Sequence, residues 1–115
     1  MSKAQVKVLN KNVMLNLIGN EPETIKQFEI DFIKQAHEAM KNIIVQYNHN
    51  DFEQIKATAH FLKTSAHAIS AEQVADLLES LEEVSFLHDK AKCKEHIILI
   101  NSAIKQVYKE ILDEN

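Results

Sequence analysis

Residues 52–71 read FEQIKATAHFLKTSAHAISA. At 100° per residue, Ile55, Thr58, Ala59, Leu62, Ser65, Ala66 and Ile69 gather on one side of a helix. That side is the expected core face. It is rich in small residues, so a neighbouring helix can approach closely. With His60 set at 0°, the opposite side holds Glu53 at about +20°, Lys56 at about −40°, Lys63 at about −60°, Thr64 at about +40° and His67 at about −20°. The stretch is therefore an amphipathic helix that turns one histidine outward at its middle. Asn50-Asp51-Phe52-Glu53 supplies a capping-box-like start.

The flanking sequence repeats the helical pattern. Upstream, Ile25, Phe28, Phe32, Ala36, Met40, Ile43 and Tyr47 recur in steps of three or four. Pro22 stands in the first turn, where no amide donor is lost, and Asn20 or Glu21 caps. Asn48-His49-Asn50 breaks that helix. Downstream, Val74, Leu77, Leu78, Leu81 and Val84 form a stripe behind Ser70, with Gln73 three residues on. Ser70 is expected to be the N-cap. Asp89 caps a last helix striped by Cys93, Ile97, Ile100, Ile104, Val107 and Ile111. About residues 3–18, with Val6, Leu9, Val13, Met14, Leu17 and Ile18, read as a short extra helix closed by Gly19. The expectation is all-α: an antiparallel four-helix bundle with a short additional N-terminal helix across one end, in a single domain over 1–115.

Composition removes other classes. The 115 residues include one glycine, one proline and one cysteine. One glycine cannot build a G-x-G-x-x-G or P-loop cradle for a nucleotide. A many-stranded β fold lacks its turn residues. The net charge of −4 gives no general reason to bind nucleic acid. Cys93 has no partner for a disulfide or a zinc site and reads as a small core residue. No signal peptide or spanning segment is visible. These features fit a cytoplasmic, monomeric chain without cofactor.

An exposed imidazole beside Lys56 and Lys63 has chemical meaning. The ordinary imidazole is mostly neutral at cellular pH, and a neutral imidazole is a nucleophile. Ammonium groups favour an incoming phosphoryl group through charge-assisted hydrogen bonds. The spacing alone also describes a solvated histidine on a polar face; His67 reads most simply that way, with a binding role that tunes the local charge as the other expectation. A bundle metal site of the E-x-x-H kind does not fit, because that motif is absent and His60 and His67 point away from the stripes.

The run from Ala59 to Ala71 resembles the signature of histidine-containing phosphotransfer domains, roughly A-H-x-L-K-G-S-A-x-x-[IL]-G-A. Val74, Leu77, Leu81 and Glu82 stand where that family continues with L-x-x-L-x-x-x-L-E. The resemblance extends over roughly residues 8–110. It implies a helical bundle in which His60 accepts a phosphoryl group from a receiver-domain aspartyl phosphate. The group then passes to another response-regulator receiver, in a relay that begins at a hybrid sensor kinase. It implies Lys63 as the residue contacting the phosphoryl group, with no nucleotide, no metal and no kinase activity. The alternative is an adaptor of the same fold that binds receivers without transfer.

Two positions depart from the family pattern, which has glycine where Thr64 and Ser70 stand. Thr64 shares the face of His60, so it either crowds a receiver or offers its hydroxyl to the imidazole or phosphoryl group. For docking, Ile30 lies about 140° from its own helix stripe. Ile30 with the exposed edge of Phe28 is one expected receiver contact; packing of Ile30 beneath the first helix is the other expectation. Glu82 and Glu83 rim the same patch or simply face solvent.

Overall fold

The computed structural model describes residues 7–10 and 21–113. Four helices follow in order: α1 (Pro22–Asn48), α2 (Phe52–Ala68), α3 (Glu72–Phe86) and α4 (Lys90–Asp113). Neighbours run antiparallel, and α2 packs most extensively against α3. Apart from Phe28, which is left exposed, the expected stripes form the core or pack against it. Phe32, Ala36, Met40 and Ile43 of α1 meet Ile55, Ala59, Leu62 and Ala66 of α2. Val74, Leu78 and Leu81 of α3 and Cys93, Ile97, Ile100, Val107 and Ile111 of α4 complete it. Ala59 and Ala66 are fully buried, so the small-residue face of α2 is what lets its backbone come close to α3. Burial pushes the Cys93 thiol above its ordinary range, as expected of a core cysteine.

The three helix connections share one solution. Each has three residues, and the middle one, Asn50, Ser70 or His88, takes a left-handed conformation with φ of 55°, 56° and 56°. In each, that residue's amide donates three positions back and the next amide five positions back. At the α2–α3 turn these bonds are Ser70 N to His67 O at 3.0 Å and Ala71 N to Ala66 O at 2.9 Å. This is the Schellman closure, which glycine usually serves. Here it is built three times without glycine. Asn and His enter the left-handed region more readily than most residues, whereas serine holds it against a steric cost of about 1 kcal/mol.

That geometry corrects the expected role of Ser70. The N-cap of α3 is Ala71, with no side-chain capping bond. The Ser70 hydroxyl is buried without a hydrogen-bond partner. The Schellman closure places Ser70 one residue too early to cap. Asp51 and Asp89 do cap, accepting from the amides of Gln54 at 3.2 Å and Lys92 at 3.1 Å. Glu21 occupies the N-cap position of α1 without a side-chain bond to a helix amide, its carboxylate accepting instead from Thr24 Oγ1 at 2.9 Å, and Pro22 opens the helix.

The exposed end of α3 is instead covered from the N-terminal segment. Lys7–Asn10 is not helical, because its polar groups bond across the chain. Gln73 N donates to Lys7 O at 2.9 Å, and Asn10 N donates to Ser70 O at 2.9 Å. The Glu72 carboxylate accepts from Lys7 N and from Asn10 Nδ2, each at 3.0 Å. Leu9 is buried beneath this strap. The remainder of the expected N-terminal helix, with Gly19 and Asn20, lies outside the described residues. At the opposite end, Phe52 and His88 stack with centroids 4.7 Å apart. Lys90 there donates to Tyr47 O and Asn50 Oδ1.

Candidate functional site

His60 stands midway along α2 with its side chain 65% exposed. Its backbone is fixed because Ala59 and Leu62 on either side are fully buried. The ring itself is held from α3. Nδ1 lies 3.0 Å from Glu82 Oε1. A carboxylate only accepts, so Nδ1 carries the proton of this bond. In the neutral ring that leaves the lone pair on Nε2. The nitrogen that keeps its lone pair is thus selected by an acid 22 residues away in sequence.

Glu82 also binds Lys63. Its Oε2 lies 2.8 Å from Lys63 Nζ, and both side chains are mostly shielded from solvent. The hydrogen bond to Glu82 holds the Lys63 ammonium above the ordinary lysine range, against the opposing effect of burial. One carboxylate therefore orients the imidazole through one oxygen and a cation through the other. The acid was legible only as a rim residue in the sequence, since nothing local ties it to His60.

The other expected site residues are placed as follows. Lys56 is exposed and lines the same groove as His60, together with Glu53, Ala57 and Glu82. Its ammonium lies 5.0 Å from the centroid of Phe86. Thr64 is exposed, but its hydroxyl donates to the His60 carbonyl at 3.3 Å. The hydroxyl is thus occupied within the helix rather than offered to the imidazole. His67 is exposed in the last turn of α2, about 10 Å along the axis from His60.

Ile30 and Phe28 are not beside His60. Ser65 Oγ donates to Gln35 Oε1 at 2.6 Å, which sets α1 against α2. His60 lies five residues to one side of that level and Ile30 five to the other, so they are about 15 Å apart along the bundle. Phe28 is about 18 Å away by the same reckoning. The two are 37% and 45% exposed and point about 160° apart around α1. Among the described residues no group of His, Cys, Asp and Glu side chains is arranged to hold a metal ion.

The bundle presents an exposed His60 whose ring is oriented from α3 by Glu82. A family model described as Hpt domain matches residues 30–113. The chain belongs to that family, whose members are histidine phosphotransfer modules of two-component signalling and not kinases. Among solved structures it is similar to histidine-containing phosphotransfer protein B from Pseudomonas aeruginosa PAO1. That match has a TM-score of 0.87, 16% identity and 96% coverage of each chain, and it bears on the fold. No curated protein matches the chain. None of the described helices is long and apolar enough to cross a membrane.

Proposed function

We propose that this chain carries a phosphoryl group on Nε2 of His60, taken from the aspartyl phosphate of one receiver domain and delivered to the aspartate of another. The observation that carries this reading is the 3.0 Å bond from Nδ1 to Glu82. It leaves the Nε2 lone pair free on a side chain that is 65% exposed. In the first step the Nε2 lone pair attacks phosphorus, the Nε2–P bond forms, and the bond from phosphorus to the aspartyl oxygen breaks. The aspartate leaves as a carboxylate. The ring becomes a phosphoimidazolium whose Nδ1–H still donates to Glu82. Delivery reverses these changes.

The transition state is loose, so alignment and charge do most of the work. Glu82 stabilises the cationic ring through Nδ1. Lys63 has three ammonium donors; one serves Glu82, and the others remain for phosphoryl oxygens. Lys56 supplies a second cation in the groove. The receiver would supply its own metal ion, and a hybrid sensor kinase stands upstream in the relay. His67, Ile30 and Phe28 lie too far along the bundle to touch the same phosphoryl group.

The test is transfer from phosphorylated receivers to the wild type and to His60→Gln. The wild type gains acid-labile label. His60→Gln keeps the helical circular-dichroism spectrum and gains none. Labelling that persists in His60→Gln overturns the assignment. Receiver binding without labelling of either protein identifies the adaptor instead.

A further inference from the structure

Phe86 closes α3 and is 69% exposed. A ring so placed adds little to the core. What it faces is a charge: the Lys56 ammonium lies 5.0 Å from its centroid, a distance at which a cation is drawn to an aromatic face. Lys56 stands one turn before His60 on α2, with about 5–6 Å between their Cβ atoms. Both line one groove with Glu82. Phe86 and Leu87 line the adjoining groove, which Lys56, Lys63 and Glu82 share.

Two rungs thus join α2 to α3 beside the histidine. Lys63 meets the Glu82 carboxylate at 2.8 Å, and Lys56 meets the Phe86 ring one turn of α3 further on. His60 lies between the two lysines along α2. The rungs differ in what they leave free. The charge of Lys63 is answered by a carboxylate that also holds Nδ1 of His60. An aromatic face carries no net charge and no lone pair, so it neither cancels the charge of Lys56 nor claims its N–H donors as a carboxylate would. Among the described residues no carboxylate pairs with Lys56, although Glu53, Glu79, Glu82 and Glu83 share its grooves. Lys56 is the uncompensated cation beside His60, kept there by a contact weak enough to break.

Resting on the phosphotransfer reading, we infer that Phe86 is a positioning residue: its ring holds the Lys56 ammonium beside His60 in the unphosphorylated chain and yields it to the phosphoryl oxygens once that group sits on Nε2. Those oxygens carry full negative charge and attract the ammonium more strongly than a ring quadrupole does. Holding a long, flexible side chain in place beforehand reduces the entropy lost when it engages. Lys63 stays tied to Glu82, and Lys56 is the arm that moves.

The experiment labels the full chain with phosphoramidate, a small donor that needs no receiver docking. The Nε2 lone pair forms the new bond to phosphorus, the donor's own N–P bond breaks, and ammonia leaves. Wild type is compared with Lys56→Met, Phe86→Leu, Phe86→Trp and Lys56→Met/Phe86→Leu, each checked for folding by circular dichroism. The labelling rate falls about tenfold in Lys56→Met and about threefold in Phe86→Leu. The double variant is no slower than Lys56→Met. Phe86→Trp, which keeps an aromatic face, recovers the rate lost in Phe86→Leu. Proton NMR of the wild type shows the Lys56 ε-methylene shifted upfield by the ring, and that shift is lost when His60 is phosphorylated. An upfield shift that persists in the phosphorylated chain overturns the hand-over. Losses that multiply in the double variant, or a wild-type rate in Phe86→Leu, overturn the positioning role. Each of these results leaves His60 as the carrier. Labelling of His60 by phosphoramidate with the shift lost, but by no receiver domain, overturns the phosphotransfer reading and leaves the hand-over standing. Failure of both donors to label His60 overturns both.

Discussion

The His60 imidazole and the Glu82 carboxylate meet at 3.0 Å across the α2–α3 interface, while the other oxygen of Glu82 meets Lys63 at 2.8 Å. One side chain of α3 thereby fixes the tautomer of His60 and the position of the Lys63 ammonium. Replacing it separates these effects. Glu82→Gln keeps an oxygen that can accept from Nδ1 but loses the charge, and Glu82→Ala loses both. We expect transfer to fall about tenfold in Glu82→Gln and about a hundredfold in Glu82→Ala, at about 1.4 kcal/mol of barrier per factor of ten. Histidine nitrogen chemical shifts will show Nε2 unprotonated in the neutral wild-type ring and a tautomer mixture in Glu82→Ala. An unchanged tautomer in Glu82→Ala removes Glu82 from the mechanism.

Lys63→Met is expected to slow transfer about tenfold without unfolding the bundle, measured by single-turnover labelling and circular dichroism. Its ion pair also has a pH signature. The folded lysine is raised above its ordinary value of 10.5, so its contribution to stability is complete below that pH and is lost as pH rises through the folded value. The stability gap between wild type and Lys63→Met should therefore narrow above pH 10.5. A constant gap there would mean that the pair adds nothing.

Thr64 donates its hydroxyl to the His60 carbonyl, so that hydroxyl is not available to the phosphoryl group. Thr64→Val keeps the branched shape and removes the hydroxyl. Its transfer rate should stay within twofold of wild type in the same labelling assay. A loss of tenfold or more would show that the hydroxyl serves the reaction.

Ser70 is held at a φ of 56° with its hydroxyl buried and unpartnered. Ser70→Gly relieves the steric cost and deletes the stranded hydroxyl, against the added backbone entropy of glycine. We expect urea denaturation to show a gain of about 1 kcal/mol. The same change at Asn50 should yield less, since asparagine tolerates that conformation. A loss of stability in Ser70→Gly would disprove the strain.

Glu72 holds the Lys7–Asn10 strap through both carboxylate oxygens. Glu72→Ala should cost about 1 kcal/mol and accelerate hydrogen exchange at the Gln73 amide, which donates to Lys7 O. Transfer at His60 should be unaffected, since the strap sits at the far end of α2. Unchanged exchange at Gln73 would show that the strap holds without this carboxylate.

The helices were legible because their information is local. Apolar residues recur every three or four positions, Asp51 and Asp89 cap, and His60 falls opposite a face of Ala59, Leu62 and Ala66 that must be buried. Periodicity alone therefore predicted an exposed histidine flanked by lysines, and the resemblance around it named the chemistry. The Ser70 error was also local in origin. A serine with glutamine three residues later satisfies a capping pattern, but the closure of α2 claims that residue one position earlier. Gly19 lies outside the described residues, and Lys7–Asn10, within the helix expected there, is not helical because its polar groups bond to α3 and its turn.

What the sequence determined by itself is the bundle, its core stripes and the outward histidine, because each depends on the rotation of one helix about its own axis. The tertiary structure alone decided which carboxylate holds His60, how Glu82 shares itself with Lys63, that Phe86 and Leu87 border the site, and that Ile30 stands about 15 Å away. Those facts depend on the register between antiparallel helices. Side-chain packing and three-residue turns set that register, and no periodicity within a single helix contains it.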